Sequence, residues 1–318
     1  MRSSDRFSRR SVVKGGLVVG TGLWLDTQLA LAASAATQAP IRRTIPSSGE
    51  KLPVIGTGTN AYGVTDPAQR AAIKAVLEQM HKEGGKVIDT ARGYGTSEEV
   101  IGQLLKELGN RDKYFLATKT PLPGPNGDVS GGKSVIDVSF QRMQVDVIDL
   151  IEIHNFNGLD ELTPLLREYK QAKKIRYFGA TTSVDNQHDM LIEAMKKHKP
   201  DFIQVNYSIA DRESADKVLP FAKDNGVAVL NNTPFGGRGR TLFPKFQGKE
   251  IPAFAKEIGI NSWAQFMLKY NLANPAITAI IPGTTETSFL LDNQAAGRGV
   301  VPDAATKKKM EEFWATIA

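Results

Sequence analysis

Eight short apolar runs alternate with helical patterns along this chain, and the alternation limits the folds that it can adopt. The runs are rich in Val, Ile and Leu, which is typical of buried parallel strands. The predicted strands are a first one ending at 57–60, then 86–89, 113–119, 147–154, 175–180, 202–206, 227–231 and 277–281. The predicted helices are 67–82, 97–108, 134–143, 162–173, 186–197, 214–225, 260–272, 288–295 and one from 302 onward.

A strand followed by a helix, repeated eight times, predicts one closed (β/α)8 TIM barrel, an α/β fold, over residues 40–318. A short N-terminal β-hairpin around Ser48-Gly49 is expected before the first strand. The alternative is a doubly wound sheet, but no Gly-x-Gly-x-x-Gly turn opens a helix after the first strand. Residues 236–240 are interpreted as a loop of the barrel, so we expect a single domain.

Residues 1–35 differ from the rest of the chain and predict a secretory signal. The run Ser8-Arg9-Arg10-Ser11-Val12-Val13-Lys14 resembles a twin-arginine (Tat) export signal, and a weakly apolar stretch and Ala-x-Ala sites follow it. Asp26 interrupts that stretch, which is too polar and too short to be a transmembrane helix. No stable membrane insertion is expected after the signal is cleaved. We therefore expect the Tat export machinery as a partner and a periplasmic or exported protein. A membrane anchor formed by an uncleaved signal and a disordered basic tail are the alternatives.

The charge and composition exclude several classes of function. Residues 1–35 carry five basic and two acidic side chains, so removing them lowers the formal net charge from +6 to +3. Nucleic acid is therefore not an expected partner. The chain has no cysteine and only four histidines, without His-Glu-x-x-His spacing. Disulfides, thiolate chemistry and a metal site are accordingly not expected.

Polar side chains end three consecutive predicted strands. Asp89 ends the second strand, Lys119 the third and His154 the fourth, while Tyr94 lies between two glycines on the loop after Asp89. Taken singly, each is as readily a solvated strand end or a packed core residue. In a barrel, however, the C-terminal ends of the strands share one face, where the active site lies. A carboxylate, a phenol, an ammonium and an imidazole are thus expected together.

These four groups suit proton transfer to a carbonyl oxygen. The ordinary pKa of a phenol is about 10, and a nearby ammonium lowers it. We expect Asp89 to pair with Lys119 and to keep it charged and oriented. A neutral His154 would hydrogen-bond the substrate oxygen. Together, the four groups would make Tyr94 a general acid with a shifted pKa and would provide hydrogen-bond donors to a developing alkoxide.

The same residues give the mature chain a resemblance to the aldo/keto reductase family. The motifs that carry it are, in order, Asp-x-x-x-x-Tyr-Gly at 89–95, the strand ending in Lys119, Asp149–His154, Gln204 with Val205–Ser208, and Ile281–Thr284. The resemblance implies hydride transfer between a bound nicotinamide cofactor, NADP(H) or NAD(H), and a carbonyl or alcohol. It implies that Tyr94 is the proton donor, that Lys119 and Asp89 adjust the pKa of Tyr94, and that His154 is the hydrogen-bond donor that orients the substrate.

The resemblance also implies a set of cofactor-binding positions, and the chain departs from the family pattern at some of them. The implied positions are Thr59, Thr181, Thr182, Gln204, Thr233, Phe235, Gly236, Gly237, Arg238, Arg240, Gly283, Thr284, Glu286 and Asn293. Thr182 replaces an asparagine and lacks its amide donor. Asn232 stands where the family often has an aromatic ring that stacks on the nicotinamide.

The residues that follow the last predicted strand bear on the choice between NADH and NADPH. The family usually supplies Lys or Arg here to the 2′-phosphate of NADPH, whereas this chain has Gly283, Glu286 and Phe289. A carboxylate repels a phosphate and accepts from a ribose hydroxyl, so NADH is an alternative to the family's usual NADPH. Asp292-Asn293 resembles the family's Glu-Asn pair, which implies contact with adenine.

Two functions of different classes follow. The first is an exported NAD(P)H-dependent oxidoreductase that reduces small aldehydes or ketones to alcohols. The second is an exported nicotinamide-binding protein or complex subunit with vestigial catalysis, suggested by the departures at Thr182 and Asn232.

Overall fold

The computed structural model describes residues 38–121, 131–237 and 240–318, and these residues form the predicted barrel. The predicted signal at 1–35 lies outside the described residues. The strands are β1 (Arg42–Thr44), β2 (Lys51–Pro53), β3 (Thr57–Gly58), β4 (Val87–Asp89), β5 (Phe115–Thr120), β6 (Ile148–His154), β7 (Ile175–Thr181), β8 (Phe202–Asn206), β9 (Ala228–Asn232) and β10 (Ala279–Ile280).

Helices follow the strands of the barrel and cover its outside. They are α1 (Pro67–Lys82), α2 (Ser97–Leu108), α3 (Gly132–Met143), α4 (Leu159–Gln171), α5 (His188–His198), α6 (Val218–Asp224), α7 (Ala253–Lys256), α8 (Trp263–Leu272), α9 (Thr287–Ala296) and α10 (Ala304–Ala315). No helix among the described residues combines the length and the apolar character needed to cross a membrane.

The strands from β3 to β10 pair in parallel in chain order and close on themselves. β3 and β10 meet at this closure through the backbone bridges Ile55–Ile280 and Gly58–Gly283. β1 and β2 pair antiparallel outside the barrel, with Arg43 opposite Leu52. Both the predicted (β/α)8 fold and the predicted hairpin are therefore confirmed.

The N-terminal half of the barrel interior is apolar. Phe115 and Phe202, the first residues of β5 and β8, pack there with Leu150 and Tyr177. The fully buried side chains Ile45 and Leu52 of the hairpin segment belong to the same cluster. The hairpin thus closes this end of the barrel, because its side chains complete the apolar core.

The C-terminal half of the interior is polar. Side chains alternate between the two faces of a strand, so the residues two and four positions beyond the apolar layer also point inward. These positions hold Lys119, Glu152 and Gln204, with Lys119 opposite Glu152 in the β5–β6 register. The sequence change from apolar to polar along each strand therefore places charged groups at one end of the barrel.

Two local predictions are wrong. The Thr-x-x-Glu spacing at 96–99, before the predicted helix 97–108, is typical of a capping box, but Thr96 makes no side-chain cap to any described residue, and Glu99 pairs with Arg142 at 3.0 Å instead. The predicted helix 214–225 is a 3-10 turn, Glu213–Ala215, followed by α6. Pro220 explains the later start, because proline is tolerated in the first turn of a helix and not in its interior.

Candidate active site

The buried ion pair between Asp89 and Lys119 forms the base of the site. Lys119 Nζ donates to Asp89 Oδ2 at 2.6 Å, to Asp89 Oδ1 at 2.7 Å and to the Thr90 carbonyl at 2.8 Å. Both side chains are buried. Burial raises the pKa of Asp89, and the Lys119 ammonium opposes that shift. Burial alone would lower the pKa of Lys119, but the facing Asp89 carboxylate raises it. The expected pairing is confirmed.

Tyr94 and His154 lie above this pair. The loop that carries Tyr94 turns back at Gly95, whose φ of +59° lies in the left-handed region that glycine adopts without strain. The Tyr94 ring centroid is 5.4 Å from Lys119 Nζ and 6.3 Å from the His154 ring, which it meets edge-on. The structure thus brings all four predicted catalytic side chains together.

For Tyr94, the predicted direction of the pKa shift is wrong. Burial is the largest cause and raises the pKa of Tyr94 above its ordinary value. The Lys119 ammonium lowers the pKa, while the carboxyl groups of Asp89 and Glu152 raise it. The net shift is upward because burial, together with the two carboxyl groups, outweighs the effect of the Lys119 ammonium. Tyr94 is therefore held as a protonated acid.

His154 is neutral at physiological pH, as expected. Burial and the nearby Lys119 ammonium lower the pKa of His154 to about 4. A neutral imidazole carries one N–H, so His154 can donate a hydrogen bond without carrying a charge. This is the property required of a group that orients a carbonyl oxygen.

Glu152 is a buried site residue that was not among the predicted ones. It lies two residues before His154 on β6 and has no exposed surface. Gln204 Nε2 donates both to Glu152 Oε2 and to Asp89 Oδ1, at 2.9 Å each. The signal that could have identified Glu152 is the period of two along a strand, because it puts Glu152 on the same face as His154.

A cavity of about 380 Å³ opens above the four side chains. Tyr94, His154 and Asp89 line it, and the buried Lys119 lies beneath. The predicted cofactor residues that line it are Thr59, Thr181, Gln204, Thr233, Phe235, Gly236, Gly237 and Gly283. Thr182, Arg240, Thr284, Glu286 and Asn293 are described but do not line it, and Arg238 lies outside the described residues.

Other lining residues were not among the predicted site residues. They are Gly58, Asn60, Asn155, Ser183, Asn232, Pro234 and Ile281. Most of them stand at or just after strand ends, which is the pattern that would have found them. Asn155 and Thr233 have positive φ values of 53° and 48°. Such strain in residues other than glycine is often found at ligand sites, and for β-branched Thr233 it is unusual.

Hydrogen bonds fix the direction of two predicted cofactor residues. Gln204 uses its amide nitrogen on the two carboxyl groups, while its Oε1 lies 3.3 Å from both Thr181 Oγ1 and Asn232 Nδ2. The carbonyl of Gln204 therefore faces the cavity side. Thr182 Oγ1 instead donates to Gln187 Oε1 at 2.5 Å, which turns this hydroxyl away from the cavity.

Helix α9 carries a second group of predicted cofactor residues. Glu286 is exposed at its N-terminus. Asn293 is 1% exposed, and within the described part of the chain neither Oδ1 nor Nδ2 of its amide has a hydrogen-bond partner. A buried amide without partners is costly and suits contact with a polar ligand. The neighbouring Asp292 is held by Ser262 Oγ and Gln265 Nε2, both at 2.7 Å.

A barrel with an Asp-Tyr-Lys-His site at the C-terminal ends of its strands defines a class of oxidoreductases. The chain belongs to the aldo/keto reductase family, whose model matches residues 54–313. It is similar to aldo-keto reductase YhdN of Bacillus subtilis, with 34% identity over 204 residues, 59% of this chain and 60% of that relative. The chain thus spans less than two thirds of that protein's length.

Two further proteins show what related chains bind or use. An NADH-specific methylglyoxal reductase of Escherichia coli is 32% identical over 209 residues, 57% of this chain and 63% of that protein. A crystal structure of an aldo/keto reductase from Klebsiella pneumoniae in complex with NADP and acetate is 25% identical, with a TM-score of 0.73. It covers 86% of this chain, which in turn covers 96% of the Klebsiella chain. The relatives include users of both forms of the cofactor.

Proposed function

We propose that this chain reduces the carbonyl group of small aldehydes or ketones to an alcohol, using NADH or NADPH. The observation that carries the proposal is the convergence of Tyr94 and His154 on one cavity above the Lys119–Asp89 pair. A reduced nicotinamide supplies the hydride when it is bound. The residues of this chain then supply the proton and the orientation.

Each polar residue has a defined part in this proposal. His154 donates its N–H to the carbonyl oxygen and positions it near the Tyr94 hydroxyl. As negative charge develops on that oxygen, Tyr94 gives up its proton to it. Lys119 offsets the negative charge left on Tyr94, and Asp89 holds Lys119 in place. Gln204 Oε1 and Thr181 Oγ1 would hold the carboxamide of the nicotinamide.

The residues expected near the adenosine part of the cofactor favour NADH over NADPH. From Ile281 to Gly297 the sequence has no Lys or Arg, and Glu286 is exposed at the start of α9. A carboxylate there repels the 2′-phosphate of NADPH and accepts from the ribose hydroxyl of NADH. The amide of Asn293, which has no hydrogen-bond partner in the described ranges, would contact the adenine.

Export through the twin-arginine route is also part of the proposal. Its support is the Ser8-Arg9-Arg10 motif and the Ala-x-Ala sites that follow it. Replacing Arg9 and Arg10 with lysine should keep the full-length protein inside cells, as measured by fractionation. Equal export of both forms would contradict this route.

The test of the activity is Tyr94→Phe in the purified protein, with residues 1–35 removed. We expect carbonyl reduction to fall by about 10²–10⁴-fold, because the general acid is lost. The affinity for NADH and NADPH, measured by fluorescence titration, should be kept. Tyr114→Phe is the control, since Tyr114 donates to the Leu77 carbonyl and does not line the cavity.

Three other outcomes would contradict parts of the proposal. Unchanged turnover in Tyr94→Phe would remove Tyr94 as the acid. Binding of cofactor without turnover of any aldehyde or ketone by the wild type would favour the alternative, a nicotinamide-binding protein with vestigial catalysis. No binding of either cofactor would mean that the departures at Thr182, Asn232 and Glu286 have disabled the site.

A further inference from the structure

Glu152 fills a space inside the barrel that the neighbouring glycine at position 179 leaves open. It has no exposed surface and lies opposite Lys119 on one side and Gly179 on the other. A Cβ at position 179 would lie 3.1 Å from Glu152 Cγ and 2.7 Å from the Phe202 carbonyl oxygen. Glycine at position 179 therefore provides the space that the Glu152 side chain fills.

The hydrogen bonds around Glu152 are incomplete. Its Oε2 accepts from Gln204 Nε2 at 2.9 Å, while its Oε1 is buried without a partner among the residues that the structure describes. Lys119 has three N–H groups, and the two oxygens of Asp89 and the Thr90 carbonyl accept from its Nζ at 2.6–2.8 Å. The ammonium therefore has no donor left for Glu152.

The charges around Glu152 do not balance if it is ionised. Asp89 on β4 is the facing carboxylate and Lys119 on β5 the facing cation, while Tyr94 and the neutral His154 complete the titratable groups above it. Burial is the largest cause that raises the pKa of Glu152 well above its ordinary value, Lys119 opposes it and Asp89 adds to it. A buried carboxyl group without its own cation takes up a proton rather than a charge.

We propose that Glu152 is a positioning residue that works as a neutral acid beneath Tyr94 and fixes the side chain of Gln204. The inference rests on the proposed function, in which Tyr94 becomes an anion when its O–H bond breaks and the proton moves to the substrate oxygen. A neutral Glu152 leaves Lys119 to stabilise that anion. An ionised Glu152 would put a second negative charge below it and oppose the transfer.

The sign of the pH dependence follows. Glu152 is neutral below its ionisation and negative above it, so the reaction is supported at low pH and opposed at high pH. We expect kcat/KM for the carbonyl substrate to fall about tenfold per pH unit above the ionisation of Glu152. The ionisation of Tyr94 itself would add a separate fall at higher pH.

Infrared spectroscopy tests the proton on Glu152 without any turnover. The wild type should show the C=O stretch of a protonated carboxyl group, and Glu152→Gln should lose a band that Glu98→Gln keeps. Glu98 is the matched control because it is also fully buried, accepts a hydrogen bond from Thr118 Oγ1 at 2.7 Å, faces Arg142 at 3.8 Å, and does not line the cavity. If Glu152→Gln loses no such band, Glu152 is ionised and the proposal is overturned.

Kinetics test what the proton does. In Glu152→Gln the alkaline fall of kcat/KM should disappear up to the ionisation of Tyr94, while Glu98→Gln should keep it. In the wild type the infrared band should vanish over the same pH range as the fall, which keeps the test available if the variant folds poorly. An equal alkaline fall in the wild type and Glu152→Gln would overturn the inference.

The contact with Gln204 is tested by a second substitution. Glu152→Leu removes the acceptor for Gln204 Nε2, whereas the side-chain oxygen of Glu152→Gln preserves it. We expect the leucine variant to bind NADH several-fold more weakly than the glutamine variant by fluorescence titration. Equal affinities would overturn the part of the proposal that concerns Gln204. If the wild type reduces no carbonyl at all, the proposed function fails, and the infrared result alone decides the protonation of Glu152.

Discussion

Replacing Lys119 with methionine should destabilise the protein by an amount that depends on pH. The substitution removes three hydrogen bonds from Nζ and leaves Asp89, 2% exposed, beside a single amide donor from Gln204. Removing one partner of a buried ion pair costs about 3–5 kcal/mol, because the other charge stays buried. We expect the free energy of unfolding to fall by about this amount at neutral and alkaline pH.

The pH dependence separates this explanation from a simple loss of packing. Without Lys119, the pKa of Asp89 in the folded variant lies above the unfolded value of about 3.9. The folded state then binds more protons than the unfolded one, so stability decreases as the pH rises through the folded pKa. Urea unfolding followed by the fluorescence of the buried Trp263 and Trp314 measures it at acidic and alkaline pH.

Two further variants act as controls for this prediction. Asp89→Asn combined with Lys119→Met should be less destabilised than the sum of the single variants, by about 1–3 kcal/mol, because no charge stays unpaired. Lys113→Met breaks an exposed pair of the same 2.6 Å length with Asp112 and should cost less than about 1 kcal/mol. A cost for Lys119→Met that matches Lys113→Met, or that does not change with pH, would refute the reasoning.

Three other predictions concern the cofactor, the imidazole and the barrel interior. Glu286→Lys should raise the NADPH/NADH ratio of kcat/KM about fivefold, since an exposed ion pair contributes about 1 kcal/mol; no change relative to the exposed Glu312→Lys would rule out this position. Because the pKa of His154 is lowered to about 4, the pH profile of aldehyde reduction by Glu152→Gln, which lacks the ionisation of Glu152, should show no inflection near the ordinary histidine value of about 6.5, and finding one would contradict a buried neutral imidazole. Gly179→Ala should lower the free energy of unfolding by about 1–3 kcal/mol in urea, because its Cβ meets the Phe202 carbonyl oxygen at 2.7 Å. Gly93→Ala, whose added Cβ would meet no atom of the described residues within 4 Å, should cost less.

The sequence predicted the parts of the molecule that depend on periodicity and order. The Val/Ile/Leu runs locate the strands because both faces of a parallel barrel strand are buried. The meeting of Asp89, Lys119 and His154 follows from the same topology, since they end neighbouring strands at one end of the barrel. A local prediction such as the cap at Thr96 depends instead on which partners tertiary packing offers. Ser97 Oγ, for example, donates to the Thr59 carbonyl at 3.0 Å.

The protonation states of Tyr94 and Glu152 could not be predicted from the sequence. The direction of the pKa shift of Tyr94 depends first on how deeply its phenol is buried and then on the carboxyl groups that oppose Lys119, and the sequence does not show these contacts. In the sequence, Glu152 is an acidic residue within an apolar strand. Its importance became evident only when the register set it between Lys119 and Gly179.

The closure between β3 and β10 links ligand binding to the completeness of the barrel. Whereas β6 and β7 pair at six positions, this closure depends on the bridges at Ile55–Ile280 and Gly58–Gly283. Regions with few backbone hydrogen bonds open locally at low free-energy cost. Gly58 and Gly283 also line the cavity. A ligand that contacts both residues would therefore stabilise the paired state of β3 and β10 by mass action. The amide proton of Gly58, which is donated to the Pro282 carbonyl, is thus a natural reporter of occupancy by hydrogen exchange.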